Sequence, residues 1–258
     1  EIPRQYCDAV DGVIELDADL EAPVLATRVL LGIPLGQPLP PLDVRLGTTR
    51  GTNALLTRRG ATTALLVTAG FADLLRIGEQ DRPDLFALAI KKPSPLTDDV
   101  IEVAERLDSD GRVLQSIDVG RLRTDLMQIK QRGVESLAIC LLHAYANPAH
   151  EQAIGDIIAR KYPDVRVSLS SEVAPEHREY ERTSTAVIDA YIGPAVEQYL
   201  TRFGDSVREV GYPGTPLIMQ SNGGVISPQF AMDNAAVTLM SGPASGPVAG
   251  IEYTAIHG

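Results

Sequence analysis

The sequence predicts an α/β fold, and three observations carry that reading. From about residue 42 onward, short apolar runs of strand length alternate with amphipathic stretches of helix length. The run 136–142 is nearly all apolar, as a strand covered on both faces must be. Between residues 118 and 169 the order is helix, strand, helix, strand, a spacing that calls for right-handed parallel crossovers.

The elements follow in order. Residues 1–27 hold seven acids against Arg4 alone and read as a peripheral hairpin or a loosely held lead-in, so 1–41 is set apart as an acidic segment. Apolar alternation over 44–46 gives a strand, and helix formers over 52–59 give the helix after it. Thr63–Thr68 is a compact apolar strand, followed by Gly70 and a short helical stretch at 71–77. Pro83, Pro93 and Pro95 break regular structure across 79–98. Alternation over 101–107 predicts a half-buried strand, and Asp110-Gly111 predicts a hairpin turn into 113–114. This middle piece reads as an antiparallel insertion in a mixed sheet.

Asp118 suits an N-cap for a helix whose apolar face is Val119, Leu122, Leu126 and Ile129, ended by Gly133. Asn147-Pro148 opens a second helix that Pro163 stops, and 165–169 returns as a strand. A long helix is expected over 183–203, broken or kinked at Pro194. A Gly/Pro-rich turn leads to a strand at 217–220, then a short helix near 227–233, a strand at 237–240 and a last helix from Ser241. With Pro175 and the charged run 176–182 as a boundary, the regions are 1–41, 42–178 and 179–258.

The formal charge of −11 argues against a nucleic-acid surface, which needs clustered Lys and Arg. No apolar stretch has the length of a bilayer span, and no basic segment precedes an apolar core as in a signal peptide. Cys7 and Cys140 make no disulfide framework, and Cys140, inside an apolar run, reads as a buried thiol. A reducing cytoplasm is the simplest home, with no membrane or nucleic-acid partner. No His spacing recommends a metal site.

Three segments are candidates for chemistry. Gly47-Thr48-Thr49-Arg50-Gly51-Thr52-Asn53 crowds hydroxyls and an amide where a strand hands over to a helix, a point suited to holding an oxyanion or phosphoryl group. An ordinary N-cap at Thr48 or Thr49 is the plainer alternative. Gln220-Ser221-Asn222-Gly223-Gly224 follows a strand, where open α/β sheets collect ligands; an ordinary turn explains it equally well. Ser241-Gly242-Pro243-Ala244 opens the last helix, as an anion site or as packing alone. Arg182, in Glu181-Arg182-Thr183-Ser184-Thr185, could clamp a carboxylate by paired hydrogen bonds or belong to a capping cluster.

With these blocks set in order, the chain resembles hydantoinase A and the 5-oxoprolinases, ATP-dependent cyclic amidases. Besides the three segments and the Arg182 block, the likeness rests on Gly70-Phe71 with Arg76-Ile77-Gly78, on Arg82-Pro83-Asp84-Leu85-Phe86, and on Leu141-Leu142-His143-Ala144-Tyr145 with Asn147-Pro148 and His150-Glu151. The resemblance implies part of an actin/sugar-kinase-like ATPase lobe, with ATP and Mg2+ as reactants and a B-type subunit as partner. It implies opening of a hydantoin or lactam ring after phosphoryl activation of the amide carbonyl. Thr48, Thr49 and Asn53 would then lie near the transferred phosphoryl or the substrate carbonyl, Arg182 and Asn222 near the substrate, and Gly223, Gly224, Ser241 and Gly242 along the nucleotide cleft. Neither of the family's Gly-rich phosphate loops is found in the sequence, so the chain by itself is expected to be inactive. Related acetone- and acetophenone-type carboxylases, and a non-catalytic assembly module for a B-type subunit, are the alternatives.

Overall fold

A computed structural model describes residues 8–10, 13–15, 20–82 and 84–257; Cys7 and Pro83 lie outside it. The chain forms two compact units. The first takes Glu1–Thr49, Val196–Asp233 and Val237–Gly258; the second takes Arg50–Ala195 and Asn234–Ala236. In the lead-in, β1 (Asp8–Val10) pairs antiparallel with β2 (Val13–Glu15). The helix α1 (Ala22–Leu31) begins with Pro23 in its first turn and stops at Gly32, which adopts φ +64°. A side chain would be strained at that angle, so glycine ends the helix there. The strand β3 (Arg45–Leu46) closes this part of the first unit.

The second unit opens with α2 (Arg50–Leu56) and is built on a sheet. β4 (Thr63–Thr68) lies between β5 (Val100–Val103) and β8 (Ser136–Cys140), and β9 (Arg166–Leu169) lies beyond β8. All three pairings are parallel, as the strand-helix alternation predicts. A short helix, α3 (Leu74–Ile77), occupies the β4–β5 connection. Only one piece of the expected antiparallel insertion is antiparallel. The predicted strand 101–107 is split, its first half joining the parallel sheet as β5. Its second half, β6 (Arg106–Leu107), turns back through Asp110-Gly111 to pair with β7 (Val113–Gln115). The Asp108 carboxylate stabilises that turn by accepting from the N–H groups of Asp110 and Arg112 at 2.9 and 2.8 Å.

Alternate residues of β4 and β8 face opposite sides, and both sides are covered. Leu66 and Ile139 pack against Leu122, Leu126 and Ile129 of α4 (Val119–Gln131) and Ile154 and Ile158 of α5 (Ala149–Lys161). Leu65, Val67, Ala138 and Cys140 pack against Ala186, Val187 and Ala190 of a long helix. Burial on two faces explains why these strands read as continuous apolar runs. α4 is capped as expected: the Asp118 side chain accepts from Arg121 N–H at 3.0 Å.

After β9 comes one turn, α6 (Ser170–Val173), and then the long helix, α7 (Glu179–Glu209). Of the expected break or kink at Pro194, the break does not occur: the helix passes through without ending, although proline withholds one N–H from it. Ala190, Tyr191, Ile192 and Val196 on either side are all buried, and burial outweighs one lost hydrogen bond.

The rest of the first unit holds β10 (Leu217–Met219), β11 (Val225–Ile226), α8 (Pro228–Asp233) and α9 (Ser241–His257). β10 pairs antiparallel with β11 and parallel with β3. The strand predicted at 237–240 does not form; Ala235–Thr238 is a 3-10 turn instead. Among the described residues no strand pairs with the segment, whose Val237 carbonyl accepts from Ser221 N–H at 2.8 Å. Among the described residues no helix is long and apolar enough to cross a membrane.

Candidate functional site

In the first unit, the parallel pair β3 and β10 brings two of the candidate segments to one sheet edge. Leu217 aligns with Arg45 and Ile218 with Leu46, so the loops after Leu46 and after Met219 leave the sheet side by side. Strand carboxyl ends are where α/β sheets present ligand-binding loops. The first loop is Gly47-Thr48-Thr49. The second, Gln220 to Gly224, is held by Gln220 N–H to Gly224 O at 2.8 Å and by Gly224 N–H to Asn222 Oδ1 at 2.8 Å. Gly223 has φ +83°, and a Cβ on Gly224 would come within 3.0 Å of Asn222 Oδ1. The Asn-Gly-Gly sequence therefore follows from the shape of the loop.

The third segment joins the first directly. Ser241 is fully buried at the start of α9; its Oγ accepts from Thr48 N–H at 3.3 Å and donates to Thr48 O at 3.1 Å. Gly242 lies beside Thr49, whose Cγ2 is 4.0 Å from where a Cβ on that glycine would stand. Thr48 and Ser241 are thus an internal tie, and the exposed polar side chains of the corner include Thr49, Ser221 and Asn222. The corner offers hydroxyls and a carboxamide, while the N–H groups of Thr48, Gln220, Ser221, Gly223 and Gly224 are taken by internal acceptors. These fit a phosphoryl or carbonyl oxygen, and residues 47–49, 220–224 and 241–244 contain no charged side chain, the next cation in sequence, Arg50, belonging to the second unit.

Asn53 and Arg182 belong to the second unit. Asn53 is exposed on α2, with its carbonyl accepting from Thr57 N–H and Oγ1 at 2.9 and 2.7 Å. Arg182 is enclosed, and its guanidinium donates to Ser170 Oγ at 2.7 Å, to Leu141 O at 2.9 Å and to Glu179. Its Cζ also stands 5.5 Å from the centre of the Tyr145 ring. The fully buried Glu151 accepts from Leu141 N–H, Ser170 Oγ and Ser171 N–H at 2.8, 2.6 and 2.8 Å. Burial pushes its carboxyl above the usual range, and the hydrogen bonds from Ser170 and from the Leu141 and Ser171 backbone oppose that shift. The result is a buried Arg–Glu knot joining the ends of β8 and β9 to the first turns of α5 and α7.

A second buried carboxylate lies near the end of β4. Glu105 accepts from Thr68 Oγ1 and stands 2.6 Å from His150 Nδ1, while Thr68 Oγ1 accepts from Leu142 N–H at 2.9 Å. Sequence reading gave neither carboxylate a role, although Glu151 stands in one of the blocks that carry the family likeness. For Glu105 a signal exists: Val103, Glu105 and Leu107 alternate, and all three are buried, so an acid stands at an inward position of the pattern. Nothing local marks Glu151, which sits in the first turn of a helix where an acid is ordinary.

The second unit also carries a cleft of about 880 Å³. Its lining includes Arg58, Lys92, Tyr180 and Ser184 together with Leu75 and Val187. Its cations already serve the fold, Arg58 donating to Ser94 O and Pro95 O at 2.9 and 3.1 Å and Lys92 to the carbonyl end of α3. Among the described residues, no group of three or more His, Cys, Asp or Glu is placed to hold a metal ion.

An α/β chain with loops converging at the end of a parallel strand pair is the class of protein that these observations define. Two family models match the sequence, the hydantoinase/oxoprolinase N-terminal region over residues 38–162 and hydantoinase/oxoprolinase over residues 182–257. The chain belongs to the hydantoinase/oxoprolinase family. It is 37% identical over 260 residues to 5-oxoprolinase 1 of Arabidopsis thaliana, a match covering 88% of this chain and 20% of that protein. The crystal structure of an ATP-dependent caprolactamase from Pseudomonas jessenii matches all of this chain and 39% of its own, with TM-score 0.79 and 27% identity. A nucleotide-free acetone carboxylase structure, from work on ATP-dependent acetone carboxylation, matches 82% of this chain and 31% of its own, with TM-score 0.74 and 25% identity. The chain therefore spans between a fifth and two fifths of these relatives.

Proposed function

We propose that this chain forms part of an ATP-dependent amidohydrolase that opens a hydantoin or lactam ring, within an actin/sugar-kinase-like ATPase lobe. The observation that carries this reading is the meeting of Thr48, Thr49, Ser241 and Gly242 at one corner, beside the Asn222–Gly224 loop, in a chain of this family. A cyclic amide is a weak electrophile, and ATP, as co-substrate, supplies the phosphoryl group that makes its oxygen a leaving group. The chain's own part is positioning and neutral hydrogen bonding, with no side chain here assigned to Mg2+. Thr49 and Asn222 donate to the oxygens of the reacting group. Thr48 and Ser241 hold the corner in shape, and Gly242 leaves room for close approach. Gly223 and Gly224 let the second loop fold back next to it. Asn53 is assigned to the phosphoryl side. Arg182, turned to internal partners, acts by fixing the strand end at Leu141 and is a positioning residue. A B-type subunit or domain and a cytoplasmic setting complete the reading.

The test uses the full-length enzyme. Thr49→Ala should lower ATP-coupled ring opening of a lactam or hydantoin by about tenfold or more, since one donor to a developing oxyanion is worth that much. Unchanged turnover removes Thr49 from the site. The acetone carboxylase likeness supports a second reading, a carboxylase subunit. ATP hydrolysis that requires a ketone and bicarbonate, and ignores cyclic amides, would select it.

A further inference from the structure

The cleft of the second unit, about 880 Å³, has the size of a small-molecule site. Into it α7 presents Tyr180, Ser184, Val187 and Ile188, a spacing that puts all four on one face of the helix. Leu55, Leu75 and Leu96 extend the apolar lining, each only half-buried. Tyr180 Oη and Ser184 Oγ have no hydrogen-bond partner among the described residues, and neither is sealed from solvent. The cations of the lining are engaged elsewhere. Arg76 pairs with Asp98 at 2.9 Å, Lys92 donates to the carbonyls of Arg76 and Ile77, and Arg58 donates to those of Ser94 and Pro95. These bonds also tie the 92–98 segment to the rest of the unit, so the cleft is formed before any ligand arrives. Two further acids of the lining, Glu79 and Asp81, are exposed and have no ion pair among the described residues.

We propose that this cleft is a binding site for a small uncharged aliphatic amide. A hydroxyl both donates and accepts, so Tyr180 and Ser184 can meet the carbonyl oxygen and the N–H of one amide. An anion finds no unengaged cation in the lining and is opposed by Glu79 and Asp81. An ammonium group at the two hydroxyls would lose water without gaining a close counter-charge, because both free carboxylates are exposed and screened. The hydrocarbon part displaces water from Leu55, Leu75, Leu96 and Ile188. The lining residues all lie within Arg50–Ala195, and the inference does not depend on the reaction assigned to the corner of the first unit.

The test titrates the full 258-residue chain with hexanamide, sodium hexanoate and hexylammonium chloride, which share one tail and differ in the charge of the head. Binding is read at constant ionic strength from the backbone amide resonances of Gly78 and Ser184. Hexanamide should shift both saturably, and each charged probe should bind about tenfold more weakly or worse. Tyr180→Phe and Ser184→Ala should each weaken hexanamide severalfold, the worth of one neutral hydrogen bond, and leave the melting temperature unchanged because neither hydroxyl has an internal partner. The double variant Glu79→Gln/Asp81→Asn should strengthen hexanoate and leave hexanamide as it was. Four results overturn the proposal: shifts that do not saturate, equal binding of hexanamide and a charged probe, hydroxyl variants that bind hexanamide as well as the wild type, or a fall in melting temperature that accounts for their loss of binding.

Discussion

Arg182 and Glu151 are each fully buried, and each satisfies the other's neighbours: Ser170 donates to Glu151 while accepting from Arg182. Such a knot is worth little against a well-packed apolar replacement, yet removing one member strands the other charge in a dry interior. Arg182→Ala should therefore cost about 3–5 kcal/mol of stability in urea unfolding, while an exposed pair such as Arg45–Asp43 should cost under about 1 kcal/mol when broken. A small effect at Arg182 would show that water reaches the knot. Cys140, next to it, tests the same dryness. Burial pushes its thiol up to about 11, with Arg182 lowering and Glu151 raising it to smaller extents. The thiolate is the reactive form, so at pH 8 only about one part in a thousand is reactive. In a Cys7→Ser background, native chain should resist a thiol-specific disulfide reagent at pH 8, react faster as pH rises toward 11, and react fully on unfolding. Native labelling at the unfolded rate would contradict the burial.

At the scale of elements, close approach of backbone to side chain sets several positions. The turn before β4 contains Gly60, where a Cβ would stand 2.3 Å from two atoms of the Tyr191 ring on α7. The Ala61 N–H also donates to Tyr191 O at 2.9 Å, so neither side can easily withdraw. Gly60→Ala should destabilise the second unit by about 1–3 kcal/mol through overpacking, measured by chemical unfolding. Gly133→Ala is a useful contrast: there the cost comes from φ +73° alone, since no atom lies within 4 Å of the added methyl. Equal stability of Gly60→Ala and wild type would mean that the Tyr191 ring moves aside at no cost.

For the whole molecule, the larger sheet of the first unit is β11-β10-β3 and that of the second is β5-β4-β8-β9, and the corner segments of the first unit hold no charged side chain. The 258-residue chain has a formal charge of −11 and no Gly-rich phosphate loop in its sequence. Calorimetric titration with Mg·ATP should therefore detect no micromolar binding, because polyphosphate capture at that affinity needs a cradle of N–H groups backed by Lys, Arg or a protein-held cation. Micromolar binding would show that the corner alone suffices.

What the sequence determined by itself is local. Two-sided burial was legible in the run 136–142, because a strand covered on both faces has no polar period, and 63–68 was legible as a compact apolar strand. Helix α4 was legible from Asp118 to Gly133, because caps act over three or four residues. The candidate corner was legible as three separate polar and glycine-rich segments, and their order carried the family resemblance. Tertiary structure alone decided the rest. The tie between Thr48 and Ser241 spans 193 residues, and no local pattern at either end encodes its partner. The same holds for Arg182, a plausible surface clamp by composition and a buried strut in the fold. It holds also for 237–240, whose residues suit a strand but find none to pair with. Period and capping are short-range forces written into neighbouring residues; partner choice and burial depend on segments that only the folded chain brings together.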